Sequence, residues 1–424
     1  MIYIPSGKDK TRKRNIETIP DPGLFHISLS THRGAAAVPV VSIGQRIKKH
    51  QLIAQAGGAV SAHVHSPASG WVTDIGLYPQ PDGSKRETVV IQNDFKETKE
   101  EVIPTYPGAF TSEEVIQAIA DAGIVGAGGA QFPSHIKYRT GTNRIRTFII
   151  NGAECEPYLT ADYSLMRQYH AQLLQAVALI CNVIQPEQVV LAIEKNNKEL
   201  VPIFEPYLQS LPVPLSILQL QGGYPQGSEL QLIRSATGME LQRGIIPATA
   251  GVIVSNVGTL YAIYKALYEH TPAIERIITV SGNCTEVCGN YKVKIGTPIS
   301  HILQTLGISV PHHKVQLILG GPMMGWTVDD HSVSVSKGTA GILLLEKREL
   351  HPYNCIRCGY CVDACPMRLM PFELVEAYEN RNKSALKELK LAQCIECGLC
   401  EYVCPSDVPL LESFRQGKIL TNLR

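Results

Sequence analysis

Eight of the chain's twelve cysteines fall into two copies of one spacing, Cys355-x-x-Cys358-x-x-Cys361-x-x-x-Cys365-Pro366 and Cys394-x-x-Cys397-x-x-Cys400-x-x-x-Cys404-Pro405. No other feature limits the fold so tightly. In such a run three thiolates wrap one corner of an iron–sulfur cube, and the fourth reaches toward the neighbouring cube. The spacing therefore assigns one [4Fe–4S] cluster to Cys355, Cys358, Cys361 and Cys404, and a second to Cys394, Cys397, Cys400 and Cys365. The proline after each fourth cysteine stops the local helix, and Gly359 and Gly398 suit the cramped backbone between ligands. Paired C-x-x-C runs also suit zinc, but zinc has no use for the x-x-x-Cys-Pro extension twice over. The segment reads as an electron wire.

A chain of 424 residues is too long for one compact domain and predicts three or four. With 39 basic against 38 acidic residues the net charge is +1, so no field favours nucleic acid. Only the first fifteen residues lean basic (Lys8, Lys10, Arg12, Lys13, Arg14), which reads as a short solvated tail. No apolar run reaches bilayer-spanning length and no signal-peptide pattern opens the chain, so a soluble or docked protein without its own transmembrane segment is expected. The four remaining cysteines (Cys155, Cys181, Cys284, Cys288) form no disulfide framework, which fits a reducing compartment.

From about residue 25 to 95, short alternating runs broken by glycine predict a small β-sandwich. The stretches Gly44–Ala54 and Ser66–Val72 resemble the lipoyl-carrier type of barrel-sandwich hybrid, but the hairpin near Gly57–His63 lacks the carrier lysine. A structural or docking module follows. His63 and His65 share a strand face with no third metal ligand in view, and read as surface histidines. Pro104–Gly108 reads as a linker, and Thr111-Ser112-Glu113-Glu114 as the cap of an amphipathic helix.

Glycines 126, 128 and 129 then allow a close backbone approach to an anion, with Lys137 supplying a cation and Phe132 an aromatic wall. Such a loop alone is weak, since many are only turns. It is followed by a buried-type strand, Arg146–Asn151, that ends in Asn151-Gly152-Ala153-Glu154-Cys155-Glu156-Pro157. Polar groups at the carboxyl end of a strand are where open α/β sheets bind ligands.

The sequence G-x-G-G-A-x-F-P-x-x-x-K, a strand and N-x-x-E-x-E-P resembles the flavin subunit of respiratory complex I. With the barrel-sandwich before it and the twin cysteine runs after it, the chain resembles the RnfC family, the NADH-oxidising subunits of Rnf electron-transport complexes. The resemblance implies that Gly126, Gly128, Gly129, Lys137 and Asn151 hold FMN, that Phe132 stacks on the nicotinamide or adenine of NADH, and that Glu154 and Glu156 line the NADH pocket. Glu154 and Glu156 also have a plain alternative, a capped turn before Pro157. Tyr224, Gly227 and Glu229 match the family's Y-P-x-G-x-E stretch; Asn256 and Thr259 match its N-V-x-T stretch and can donate to the flavin phosphate or ribityl oxygens. Gln131 and Ala153 depart from the complex I pattern.

Helix Ala171–Asn182 and strands Gln188–Ile193 and Leu215–Leu220 complete an α/β sheet. Residues 276–345 resemble the family's soluble-ligand-binding β-grasp (SLBB) module. Its Gly320-Gly321-Pro322-Met323-Met324-Gly325 bend is read as a bridge, and Cys284 and Cys288 as unliganded thiols. The connector 371–392 reads as helices packed beside the cubes. The expected architecture is a multidomain α/β chain: a barrel-sandwich (1–100), an FMN/NADH-binding α/β domain (101–272), a β-grasp (273–345) and an α-helical two-[4Fe–4S] ferredoxin-like domain (346–424). The resemblance implies docking at the cytoplasmic face of a membrane, onto an iron–sulfur subunit of the complex. A soluble flavin reductase of the cobalamin- or proline-reductase-associated kind, and a flavin-free polyferredoxin relay, remain alternatives.

Overall fold

Alternating strand residues that are apolar on both faces demand cover on both sides, and the middle of the chain supplies it. Strands Leu215–Leu220, Gln188–Glu194, Thr147–Gly152 and Val252–Asn256 lie in that order as a wholly parallel sheet. Phe148 and Ile150 point into a core shared with helices Ser112–Asp121, His170–Ile184 and Val257–Glu269, while Ile149 points into a second core with helix Glu229–Thr237. Each such side chain contributes about 1.5–3 kcal/mol on burial. The computed structural model describes residues 2–100, 110–129, 131–311, 313–349 and 351–422. The expected linker Pro104–Gly108 lies outside them. Thr111 and Glu114 form a capping box, each side chain taking the other's backbone N–H.

Ahead of this domain, a four-stranded and a three-stranded sheet enclose Phe25, Ile27, Ile53, Val72 and Ile91. After it, strands Gly289–Lys294, Glu275–Gly282, Gly341–Glu346 and Val315–Leu319 form a mixed sheet covered by helix Ile299–Thr305. The last segment is helical: Pro371–Glu379, Lys383–Glu388 and Leu410–Leu420 bury Leu374, Leu386 and Phe414 around the cysteine runs. The connector's apolar residues therefore face the core.

Two expectations fail. The basic N-terminus is no solvated tail: Ile16–Thr18 pairs in parallel with Asn290–Lys292 at the edge of the mixed sheet. Thr11 is fully buried, and Lys8 is buried with its ammonium on the Glu154 carbonyl and 3.2 Å from Glu194. Basic residues here find internal carboxylates across the chain, which local composition does not reveal. Nor is His65 on the surface. It is buried, and His63 is half-buried with Nδ1 accepting from the Ala56 N–H at 3.1 Å. Burial, with the nearby Lys337 charge, holds the His65 imidazole well below its ordinary pKa.

Candidate functional site

Asn151 and Asn256 stand opposite one another at the carboxyl ends of adjacent parallel strands. The Asn256 side chain caps helix Val257–Glu269, its Oδ1 accepting from the Gly258 N–H at 2.8 Å, while Nδ2 donates to Asp162 at 2.6 Å. The glycine loop is tied to the same helix start: the Ala127 N–H donates to Thr259 Oγ1 at 2.8 Å. The Gly126 N–H donates to the Phe132 carbonyl at 2.8 Å and closes the loop. Lys137 brings its ammonium 2.9 Å from the Val254 carbonyl and 3.4 Å from Glu229. Asn151 Nδ2 donates to the Gly227 carbonyl at 3.0 Å. Gly126, Gly128, Gly129, Lys137, Asn151, Gly227, Glu229, Asn256 and Thr259 thus gather at one end of the sheet, at a helix N-terminus suited to an anion.

Gly128 and Gly129 test whether this end suits a mononucleotide. A Cβ on either would meet nothing within 4 Å, and neither has a left-handed backbone. Glycine here relieves no strain and no crowding; it keeps a surface clear, as a cradle for a phosphate and ring requires.

Glu154 and Glu156 take protein partners instead. Glu154 is buried and accepts from the Asp162 and Tyr163 N–H groups at 3.2 and 3.3 Å, at the start of helix Ala161–Gln168, with the Lys8 ammonium on its carbonyl. Burial and the negative charge of Asp162 push its pKa up. Glu156 accepts from the Met323 N–H at 3.1 Å and the Tyr224 hydroxyl at 3.4 Å. Burial lifts its pKa to about 7, opposed by those hydrogen bonds. The resemblance has both line the NADH pocket; the structure turns both inward, with Glu154 on the first-turn amides of helix Ala161–Gln168 and Glu156 on the Met323 amide.

The two cysteine runs repeat one backbone. Arg357 and Glu396, then Gly359 and Gly398, then Arg368 and Asp407 all adopt positive φ at matching positions. Short helices Tyr360–Ala364 and Leu399–Tyr402 follow the two glycines. The thiols also feel one another across the two runs. The Cys361 thiol feels Cys355 and Cys404, whereas Cys394, Cys397 and Cys400 each feel Cys365. Among the described residues no three Cys, His, Asp or Glu side chains stand at the spacing of a single metal ion. The groups differ in depth: Cys394, Cys397 and Cys400 are buried, while Cys355 and Cys358 are exposed. Tyr224 packs in one apolar cluster with Cys397, Leu399, Cys155 and Met323. Cys284 and Cys288 are free thiols.

Several charged residues escape sequence reasoning because their partners are distant. Lys418 is buried, donating to the Cys394 carbonyl at 2.7 Å and to Glu396 at 2.6 Å. Arg276 reaches the carbonyls of Lys337 and, at 3.4 Å, Ala127. Both Arg276 and Lys337 line a cavity of about 70 Å³ with Asp162, Lys265 and Glu275. This cavity borders the site through Ala127, Gly258 and Asp162, the acceptor of the Asn256 side chain.

Three family models match in succession: the RnfC barrel sandwich hybrid domain at residues 2–96, the Nuo51 FMN-binding domain at 119–265, and a 4Fe-4S dicluster domain at 354–408. The chain is 39% identical to the C subunit of the ion-translocating oxidoreductase complex of Rhodobacter capsulatus, over 98% of this chain and 82% of that one. It is 37% identical to the C subunit of the proton-translocating ferredoxin:NAD(+) oxidoreductase complex of Clostridium ljungdahlii, over 87% and 82%. The corresponding ion-translocating oxidoreductase component of Edwardsiella ictaluri is 36% identical over 98% of this chain and 53% of its own. Among solved structures, an NAD+-reducing [NiFe]-hydrogenase superposes with a TM-score of 0.53 at 20% identity, over 75% of this chain and 63% of that one, a likeness of fold alone.

Proposed function

Because the chain belongs to the RnfC family, the C subunits of ion-translocating oxidoreductase complexes, we propose that it is the electron-input subunit of an Rnf-type membrane complex, reversibly oxidising NADH and passing single electrons onward. The shared packing of Tyr224, three residues before Gly227, with Cys397 carries this reading. It joins the Tyr224–Gly227 stretch, bonded to Asn151 through the Gly227 carbonyl, to a cluster segment.

Bound at the strand ends, FMN supplies the conversion between a hydride donor and one-electron carriers, and two [4Fe–4S] clusters supply those carriers. The chain's own part is placement. The Gly128 and Gly129 amides, the N-terminus capped by Asn256 and the Lys137 ammonium would receive a phosphate, while the Gly126 and Ala127 N–H groups, donating to the Phe132 carbonyl and Thr259 Oγ1, hold the loop in shape. Asn151 fixes Gly227 at the strand end, where both would line a bound flavin, and Phe132 would offer a face to the nicotinamide or adenine. Cys365, Cys394, Cys397 and Cys400 hold the inner cluster, next to Tyr224. Cys355, Cys358, Cys361 and Cys404 hold the outer one, flanked by the exposed Tyr353, Ile356 and Tyr360. That flank is where an iron–sulfur subunit of the complex receives electrons, at the cytoplasmic face of the membrane. No described helix is long and apolar enough to cross a membrane itself.

Gly128→Val tests the reading. The added side chain points into open space, so thermal stability holds, while filling the cradle weakens FMN binding by about tenfold or more and removes the bleaching of flavin by NADH. Undiminished FMN affinity in a folded Gly128→Val protein overturns the assignment of this loop.

A further inference from the structure

The bend Gly320–Gly325 touches two modules at once. Toward the α/β domain, a Cβ at position 321 would overlap the Glu156 carboxylate, so the side chain seats there only because residue 321 is glycine. The seated carboxylate accepts from the Met323 N–H at 3.1 Å and from Tyr224 at 3.4 Å. Toward the cluster module, the Met323 carbonyl lies 2.7 Å from where a Cβ on Gly398 would stand, beside Cys397. The Met323 side chain joins Tyr224, Cys155 and Cys397 in one apolar cluster. Glu156 itself follows Asn151 by five residues on the segment leaving the strand Thr147–Gly152. One short path of contacts therefore runs from the strand end that carries Asn151, through Glu156 and Met323, to the backbone between Cys397 and Cys400.

We propose that Glu156 is a positioning residue: its carboxylate, seated against Gly321 and bonded to the Met323 amide, pins the bend that spaces the flavin loop from the Cys397 segment. The proposal rests on the reading of those two segments as flavin and cluster sites. Two glycines at close approaches, 321 and 398, and a buried acceptor aimed at the backbone amides of Met323 and Met324 make a rigid joint, and a carboxylate acceptor gives a stronger hydrogen bond than a neutral one. Electron transfer across the joint depends on that spacing, whereas reduction of flavin by NADH does not involve the bend.

The test uses full-length protein carrying FMN and both clusters, under anaerobic conditions, with Glu156→Ala, Glu156→Gln and Gly321→Ala. Amide hydrogen exchange at the Met323 peptide is read first. Loss of a charge-assisted bond is expected to speed it about tenfold or more in Glu156→Ala, with Glu156→Gln closer to the parent because its amide oxygen still accepts. Stopped-flow absorbance then follows flavin bleaching and cluster reduction by NADH. The ratio of cluster reduction to flavin bleaching is expected to fall in Glu156→Ala, and in Gly321→Ala, which displaces the same carboxylate. Unchanged Met323 exchange, or a raised KM for NADH with that ratio intact, overturns the proposal and returns Glu156 to the NADH pocket. Should the parent protein take up no flavin, the functional reading fails, and the exchange comparison still decides whether Glu156 pins the bend.

Discussion

The Lys337 ammonium lies 2.6 Å from the Gly123 carbonyl, three residues before the glycine loop. Its second acceptor, the His63 carbonyl at 2.7 Å, belongs to the barrel-sandwich. One buried cation, held by backbone carbonyls, thus joins three modules.

Burial lowers the Lys337 pKa to about 7, from 10.5 in the unfolded chain. Between those values the unfolded state binds the extra proton, so stability rises as pH climbs from 7 toward 10.5, by at most about 1.4 kcal/mol per pH unit from this group. Below pH 7 both states are charged and the full burial penalty applies. Thermal unfolding of Lys337→Met across this range is expected to lack that slope relative to the parent; equal slopes sink the account.

Thr259→Val removes the acceptor of the Ala127 amide and the hydroxyl that could donate to a bound flavin. One lost hydrogen bond is worth about 1 kcal/mol, so FMN affinity, followed by quenching of flavin fluorescence, is expected to drop about fivefold with the fold retained.

The interleaved ligand sets predict crossed phenotypes. Cys404→Ser is expected to cost the cluster of the first run, and Cys365→Ser that of the second. Iron content and the electron-paramagnetic signal of the remaining reduced cluster distinguish the cases: if each serine damages the cluster of its own run, the interleaving is refuted.

Lys418 places a buried cation on the Cys394 carbonyl. A positive charge there favours the reduced, more negative state of the inner cluster. Lys418→Met is expected to shift its potential negative, by about 60 mV for each factor of ten lost from the one-electron equilibrium. A redox titration showing no shift, or a positive one, rules this out.

Local signals carried much of the fold. The capping box at Thr111 and Glu114, the apolar strand Thr147–Gly152 and the repeated cysteine spacing are each written within a dozen residues. What stayed hidden depends on distant partners. Lys8 looks solvated until Glu194 lies beside it, and His65 looks exposed until the Lys337 segment closes over its strand. Glu156 differs again. The motif around it speaks for a nucleotide pocket, and only the absence of a Cβ at Gly321, far along the chain, explains its inward turn.

The docking of residues 2–18 also bears on synthesis. Ile2 and Ile4 settle against Leu399 and Cys397, and Ile16–Thr18 against Asn290–Lys292. Residues 2–18 therefore leave the ribosome well ahead of Asn290–Lys292, Cys397 and Leu399 and wait without those partners, so their seating comes late in folding.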